Sequence, residues 1–271
     1  MAPHQACPTG RGGGVSNGMK RCAPILVAIG LGGTVHAQDA GGQQGRLIEI
    51  HSLLLDLPPL QSPAALSAGT LDASVEAVTI PPIDGTVGDK QELTASDHTR
   101  VFPRPRFMLG LPAPLGARAF VGLSYIPPLR IRQVSTNYGA VEGGVGIAPG
   151  VFRLGPRLYA VYATSSAPVT EPQTRDLLKT WVYGADFSAG VRLGQGAFHL
   201  EPYAALGIVS LRGDFRVTVD GTTLKSAYTG PALHAGLRLA LGRPFEVVAE
   251  TVAYPGRLIH TDLRVGYLFG G

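Results

Sequence analysis

A segment near the end of the chain alternates strictly between two kinds of side chain. The apolar parity holds Ile259, Thr261, Leu263, Val265, Tyr267 and Phe269, and the opposite parity holds His260, Asp262, Arg264, Gly266 and Leu268. Successive side chains of a β-strand point to opposite faces, so this period of two predicts a strand with one apolar face and one largely polar face. A strand of about ten residues with such faces is typical of β-strands that cross a membrane.

The same alternation recurs in nine segments upstream, which brings the expected number of strands to about ten. These segments are residues 71–77, 106–111, 118–125, 141–147, 152–162, 181–193, 198–208, 233–241 and 245–251. No run of about 18 consecutive apolar residues follows residue 37, so membrane-spanning helices are not expected. The sequence therefore predicts an all-β fold, a transmembrane antiparallel up-and-down β-barrel over residues 68–271.

The connections between these segments alternate in length. Short turns fall near residues 112–116, 149–150, 194–196 and 242–244, and longer segments cover residues 81–103, 127–137, 164–180 and 210–228, with a tight final turn at 255–256. In outer-membrane barrels the short turns face the periplasm, and an even strand count returns both ends of the barrel to that side. Asp220-Gly221 could form one more hairpin, which would change the count by two.

Residues 1–37 have the features of an export signal. Lys20 and Arg21 precede an apolar run over residues 25–31, and Val35-His36-Ala37 supplies the small-residue spacing that signal peptidase accepts. Met19 lies directly before the basic pair, so translation could begin there. We interpret residues 1–37 as a signal peptide.

Removal of this segment changes the charge and the cysteine content of the protein. Twenty of the 23 basic residues remain against 19 acidic ones, for a net charge of +1, so the basic pI does not indicate a nucleic-acid partner. Cys7 and Cys22 are both removed. The mature protein is therefore expected to have no disulfide and no thiolate site.

Residues 38–67 have a different pattern from the rest of the mature chain. Leu47, Ile50, Leu54 and Leu57 recur at helical spacing before Pro58-Pro59. The sequence predicts a short amphipathic helix in an N-terminal periplasmic segment, which either lies across the mouth of the barrel as a plug or packs at its base.

Aromatic residues cluster toward the two ends of the predicted strands, as two girdles at the membrane interfaces would require. One group lies near the short turns and consists of Phe152, Phe198, Phe245, Tyr267 and Phe269. The other lies near the long connections and consists of Tyr125, Tyr162, Trp181 and Tyr183.

With these features the chain resembles the small outer-membrane β-barrel proteins of bacteria over residues 68–269. The resemblance concerns architecture, and it implies a location in the outer membrane, contact with outer-membrane lipid and insertion by the barrel-assembly machinery. Members of this class usually end on an aromatic residue that this machinery reads, whereas here Gly270-Gly271 follow Phe269.

The polar faces are expected to fill the interior of the barrel with charge. They carry Asp72, Glu76, Arg106, Arg118, Glu142, Arg153, Arg157, Asp186, Arg192, Glu201, Arg238, Glu246, Glu250, Asp262 and Arg264. Eight acids and seven arginines favour an ion-pair network, because an unpaired charge in a narrow lumen is costly. A selective pore lining is the alternative.

One pair on the polar face has the chemistry of a catalytic site. His260 and Asp262 lie two residues apart near the outer end of the last strand, with His234 and Glu250 as possible neighbours, and a carboxylate can orient a histidine that acts as a base. The three interior histidines, His199, His234 and His260, lack the spacing of a metal site, and no cofactor motif is present.

These observations lead to three expectations about function. The first is a passive pore, a transporter of small solutes or an envelope structural protein, without enzymatic activity and without a cofactor. The second is a barrel-embedded hydrolase that uses His260 and Asp262. The third is a soluble secreted β-barrel binding protein.

Overall fold

A computed structural model describes residues 42–61, 66–80, 101–131, 133–194, 198–242 and 244–270. These residues belong to one compact unit, residues 37–271. The predicted signal peptide and residues 81–100 of the first long connection lie outside the described residues. No helix within the described ranges is long and apolar enough to cross a membrane.

One helix precedes ten strands in the described part of the chain. The helix, α1, spans Gly42–Leu53. The strands are β1 (Leu71–Thr79), β2 (Val101–Pro112), β3 (Arg118–Ile131), β4 (Val134–Gly146), β5 (Phe152–Ala167), β6 (Asp176–Val191), β7 (Phe198–Arg216), β8 (Thr223–Leu241), β9 (Phe245–Tyr254) and β10 (Leu258–Phe269).

The ten strands form a closed barrel. Each strand pairs antiparallel with the next one along the chain, and β1 pairs antiparallel with β10 in a register that places Leu71 opposite Phe269. Closure leaves no strand with a free edge, which an apolar environment requires because backbone groups find no water there. The predicted antiparallel ten-stranded barrel is confirmed.

The apolar parity of the strands points outward. Val75, Leu158, Leu206 and Leu263 lie on different strands, and between 46% and 64% of their surface is exposed. The opposite parity holds the charged residues and faces the lumen. This arrangement inverts that of a soluble protein, and it is the arrangement of a barrel whose outer surface meets lipid.

Replacement of Leu206 by Arg tests whether the outward face meets lipid. Leu206 lies near the middle of the apolar part of β7, where a basic side chain costs about 2–4 kcal/mol in a membrane barrel. The free energy of unfolding in lipid vesicles is expected to fall by that amount. Ser210→Arg, at an exposed position nearer the long-loop end, should cost no more than about 1 kcal/mol. Equal effects at the two positions would contradict a membrane at this height.

The predicted girdle residues lie at the two ends of the outward face. At the short-turn end the rings of Phe245 and Tyr267 lie 5.1 Å apart, and those of Tyr267 and Phe269 lie 4.5 Å apart. At the other end the rings of Tyr162 and Trp181 lie 4.3 Å apart. The remaining members, Tyr125, Phe152, Tyr183 and Phe198, are exposed.

Two of the predicted long connections, 127–137 and 210–228, are largely β-strand, and about half of a third, 164–180, is strand, which corrects the expectation from the sequence. β3 and β4 are separated by two residues, and β7 continues to Arg216 before β8 begins at Thr223. Asp220-Gly221 lies in the turn of this hairpin and adds no strands. Strand residues beyond the lipid-facing part of the barrel need no apolar outward face. The alternation of apolar and polar side chains is therefore lost there, although the strands remain hydrogen-bonded to each other.

An inner segment, which we define as Gly42–Gln61, lies inside the barrel and runs along it. Near the long-loop end, Glu49 contacts Ser226 at 3.0 Å and Arg257 at 3.3 Å. Toward the short-turn end, the side-chain amide of Gln61 donates to Sδ of Met108 at 3.0 Å. The predicted short N-terminal helix is confirmed as α1, and the inner segment that begins with it runs through the lumen from the long-loop side toward the short-turn side.

Candidate functional site

The interior of the barrel contains the charged residues that the sequence analysis selected, because the period of two turns them all inward. Two of the fifteen, Arg118 and Arg192, are half-buried. The other thirteen are buried: Asp72, Glu76, Arg106, Glu142, Arg153, Arg157, Asp186, Glu201, Arg238, Glu246, Glu250, Asp262 and Arg264.

Six of the interior side chains form a continuous line of ion pairs, which we call the central chain. In order, it consists of Arg104, Glu76, Arg106, Glu142, Arg157 and Asp186. The successive nitrogen–oxygen distances are 2.5, 2.7, 2.5, 3.0 and 2.6 Å. All six side chains are at most 2% exposed, so solvent makes almost no contact with the central chain.

A second network lies closer to the short turns. Arg264 pairs with Asp72 at 2.9 Å and also pairs directly with Glu246. Arg238 reaches Glu246 at 2.5 Å and Glu201 at 3.4 Å. Cations and acids alternate here as they do in the central chain, so each buried charge has an opposite neighbour, as the cost of desolvation demands.

The arginines of the central chain also hold the inner segment. Arg104 donates to the carbonyl of Asp56 at 2.6 Å, and Arg157 donates to the carbonyl of Leu57 at 2.7 Å. Arg106 donates to the carbonyl of Pro58 at 2.9 Å. The backbone of the inner segment thus supplies acceptors that the acids of the barrel alone do not.

These contacts explain why α1 ends at Leu53, four residues before the end that the leucine spacing predicts. The carbonyls of residues 56–59 accept from arginines across the lumen, and a helix would turn those carbonyls along its own axis. Pro58 in addition disfavours a helical conformation at Leu57. Leu54 and Leu57 are buried outside the helix.

Asp56 is the point at which the inner segment meets the largest number of lumen groups. Its carboxylate accepts hydrogen bonds from the hydroxyls of Tyr159 at 3.0 Å and Tyr254 at 2.5 Å. Arg104, which binds its carbonyl, also donates to the hydroxyl of Tyr138 at 3.2 Å. Three strands, β2, β5 and β9, therefore contact this one residue, and β4 is linked to it through Arg104.

Replacement of Asp56 by Ala should loosen the inner segment without unfolding the barrel. The change leaves two buried phenol hydroxyls without their acceptor, and a hydrogen bond to a charged group contributes about 1.5–3 kcal/mol. We expect amide hydrogen exchange over residues 47–60 to accelerate at least about tenfold, while the strands stay protected. Asp56→Asn keeps an acceptor and should have a smaller effect. His51→Ala, on the exposed side of α1, should have none.

The two histidine–carboxylate pairs are present but enclosed. Nδ1 of His260 lies 3.0 Å from Asp262, and Nδ1 of His234 lies 2.8 Å from Glu250, which also accepts from the hydroxyl of Tyr203. All four residues of the two pairs are at most 4% exposed. Within the described residues no group of His, Cys, Asp or Glu could hold a metal ion.

Sequence reasoning missed Arg104, the first member of the central chain. Its neighbours Pro103 and Pro105 argued against a strand at this position, because proline has no backbone N–H to donate to a β-ladder. In the structure both prolines lie where β2 pairs with β1 but not yet with β3, whose pairing with β2 begins at Phe107. The shared parity of Arg104, Arg106 and Met108 was the available signal.

No protein-family model matches the chain, and no curated protein sequence matches it. Its structure is similar to the translocator domain of the autotransporter NalP from Neisseria meningitidis, with 12% sequence identity, a TM-score of 0.48 and coverage of 84% of this chain and 95% of that one. It is also similar to LpxR from Salmonella typhimurium, with 10% identity, a TM-score of 0.32 and coverage of 75% and 100%.

A third similar structure is the N-terminal β-barrel domain of OprF from Pseudomonas aeruginosa. It shares 10% identity and a TM-score of 0.29, with 75% of this chain and 100% of that one covered. The predicted resemblance to bacterial outer-membrane β-barrels is confirmed at the level of architecture. At these identities the similarity extends to the fold and to nothing finer.

Proposed function

We propose that this protein is an integral barrel of the outer membrane with an envelope structural role, and that its own inner segment keeps the lumen closed. The observation that carries the proposal is the complete burial of Arg104, Arg106 and Arg157 between the barrel wall and the carbonyls of residues 56–59. A water-filled pore would leave such side chains exposed, as the lumen of a porin does.

Each alternative function conflicts with a feature of the described structure. A passive pore or solute transporter requires the inner segment to leave the lumen. A hydrolase requires substrate to reach His260 and Asp262, which lie beneath Tyr254 and the inner segment. A soluble barrel requires about ten strands' worth of exposed apolar side chains to face water, which the hydrophobic effect strongly opposes.

The proposal is tested by fractionation and by conductance. The chain is expressed with its signal segment, outer membranes are isolated, and gel mobility is compared before and after boiling. We expect a heat-modifiable band in the membrane fraction and no conductance steps when the purified protein is added to planar bilayers. Recovery in the soluble fraction would overturn the membrane location, and stable conductance steps from the intact chain would overturn the closed lumen.

A further inference from the structure

The outward face of the barrel changes character at the long-loop end of three neighbouring strands. Below this level the outward residues of β6–β8 carry no charge. Above it lie four exposed cations, which we call the outer basic row: Lys179 on β6, Arg212 and Arg216 on β7, and Lys225 on β8.

Strand pairing places these cations side by side. Lys179 lies opposite Asp214, and Asp214 lies opposite Lys225, so three outward side chains follow one another across β6, β7 and β8. Arg212 lies opposite Trp181 in the next row toward the membrane. Neighbouring strands are about 4.8 Å apart, so the row forms one compact surface.

Positive charge predominates in the outer basic row. Asp214 is the single acid on this face, and its carboxylate lies 3.6 Å from Nε of Arg212. The Arg212 side chain remains 62% exposed. Along the outward face of the ten described strands, the one further charged side chain is that of Arg130 on β3. The charge is thus concentrated at one end of the barrel and on one side of it.

The height of the outer basic row along the barrel determines which part of a lipid it contacts. Trp181 and Tyr183 belong to the aromatic cluster at the long-loop end, and such rings sit at the level of lipid headgroups. Arg212 lies level with Trp181, and Lys179 lies two residues farther out, about 7 Å along the strand. Cations at this height face headgroups rather than acyl chains, and a guanidinium binds phosphate through two parallel hydrogen bonds.

We propose that the outer basic row binds the phosphate groups of an anionic lipid in the leaflet that surrounds the long-loop end. The inference rests on the membrane location proposed above. Among the described residues, the outward strand positions at the short-turn end include Phe152, Phe198 and Phe245 and carry no cation. The barrel therefore distinguishes the two leaflets by their phosphate groups.

The test uses the full chain in nanodiscs of phosphatidylcholine. Bisphosphorylated lipid A or phosphate-free lipid A is titrated in, and binding is followed by the fluorescence of Trp181, the one tryptophan of the sequence and the neighbour of Arg212. We expect the phosphorylated lipid to bind at least about tenfold more tightly, because each cation near a charged membrane surface contributes to attraction.

Three variants make the test specific. Combined substitution Lys179→Gln, Arg212→Gln, Arg216→Gln and Lys225→Gln should abolish the preference for phosphate. Asp214→Asn, which removes the single acid, should strengthen it, and Arg46→Gln, an exposed cation on α1, should leave it unchanged. Equal binding of both lipids, or an unchanged preference in the fourfold variant, would overturn the inference.

Two controls separate the possible failures. Heat-modifiable gel mobility shows whether each variant is inserted, so absence of insertion counts against the membrane location, and insertion without phosphate preference counts against the lipid site alone. Competition by inorganic phosphate or by a soluble sulfated sugar at the same concentration as lipid A would show recognition of soluble anions. That outcome would also overturn the assignment to lipid.

Discussion

Replacement of Arg106 by Met is expected to destabilise the barrel by about 3 kcal/mol. Arg106 is fully buried and lies between Glu76, at 2.7 Å, and Glu142, at 2.5 Å. Removal of one partner of a buried ion pair costs about 3–5 kcal/mol, because an uncompensated charge remains. The lower end of this range applies, since Glu76 keeps Arg104 and Glu142 keeps Arg157.

The expected loss is measured as the change in the free energy of unfolding in lipid vesicles. Arg212→Met is the matched control, since its ion pair with Asp214 is long and exposed, and such pairs contribute at most about 1 kcal/mol. A double variant, Arg106→Met with Glu142→Gln, should recover part of the loss, because it leaves Arg104 paired with Glu76 and Arg157 paired with Asp186. Equal losses for Arg106→Met and Arg212→Met would show that the central chain does not stabilise the fold.

Deletion of residues 42–61 is expected to convert a closed barrel into a conducting one. The inner segment occupies the lumen from the Glu49 contacts with Ser226 and Arg257 to the contact of Gln61 with Met108. Its removal frees the space that Leu53, Leu57 and Leu60 fill and opens a path along the interior. The central chain still crosses that path, so the conductance steps should be small.

Planar-bilayer recordings of the deletion variant and the intact chain measure this effect. Deletion of Asp220-Gly221, in the turn between β7 and β8, is the control, because it shortens the chain without touching the lumen. Asp56→Ala should give brief openings, since it weakens the attachment of the inner segment but leaves it in place. A deletion variant that inserts with heat-modifiable mobility and yet stays silent would show that other groups close the barrel.

The interior also depends on glycines whose role is steric. A Cβ atom built on Gly184 would lie 2.0 Å from the ring of Tyr159, and one on Gly236 would lie 2.3 Å from the ring of Tyr203. Both tyrosines donate hydrogen bonds to carboxylates of the lumen, Tyr159 to Asp56 and Tyr203 to Glu250. The glycines on the polar faces thus make room for rings that reach inward from the next strand.

The sequence by itself determined the strands, their number and their faces. A period of two is a local property, and in β7 the alternation of Leu206 and Ile208 with Gly207 is enough to say which side chains face outward. The antiparallel order and the closed barrel follow, because consecutive strands of this length with short turns pair as neighbours and an edge cannot face lipid. The same parity placed Glu76, Arg106 and Glu142 together on the inside.

Only the tertiary structure decided which interior residues meet. Glu49 and Arg257 lie more than two hundred positions apart, and their contact depends on how far the inner segment enters and on the stagger of the strands around the barrel. The leucine spacing of residues 47–57 predicted a helix four residues too long. The carbonyls of residues 56–58 accept from Arg104, Arg106 and Arg157 instead, and these arginines face the carbonyls only once the barrel has closed around the segment. The local alternation of side chains determines the strands of the barrel wall, and contacts between residues far apart in the sequence determine how the interior is packed.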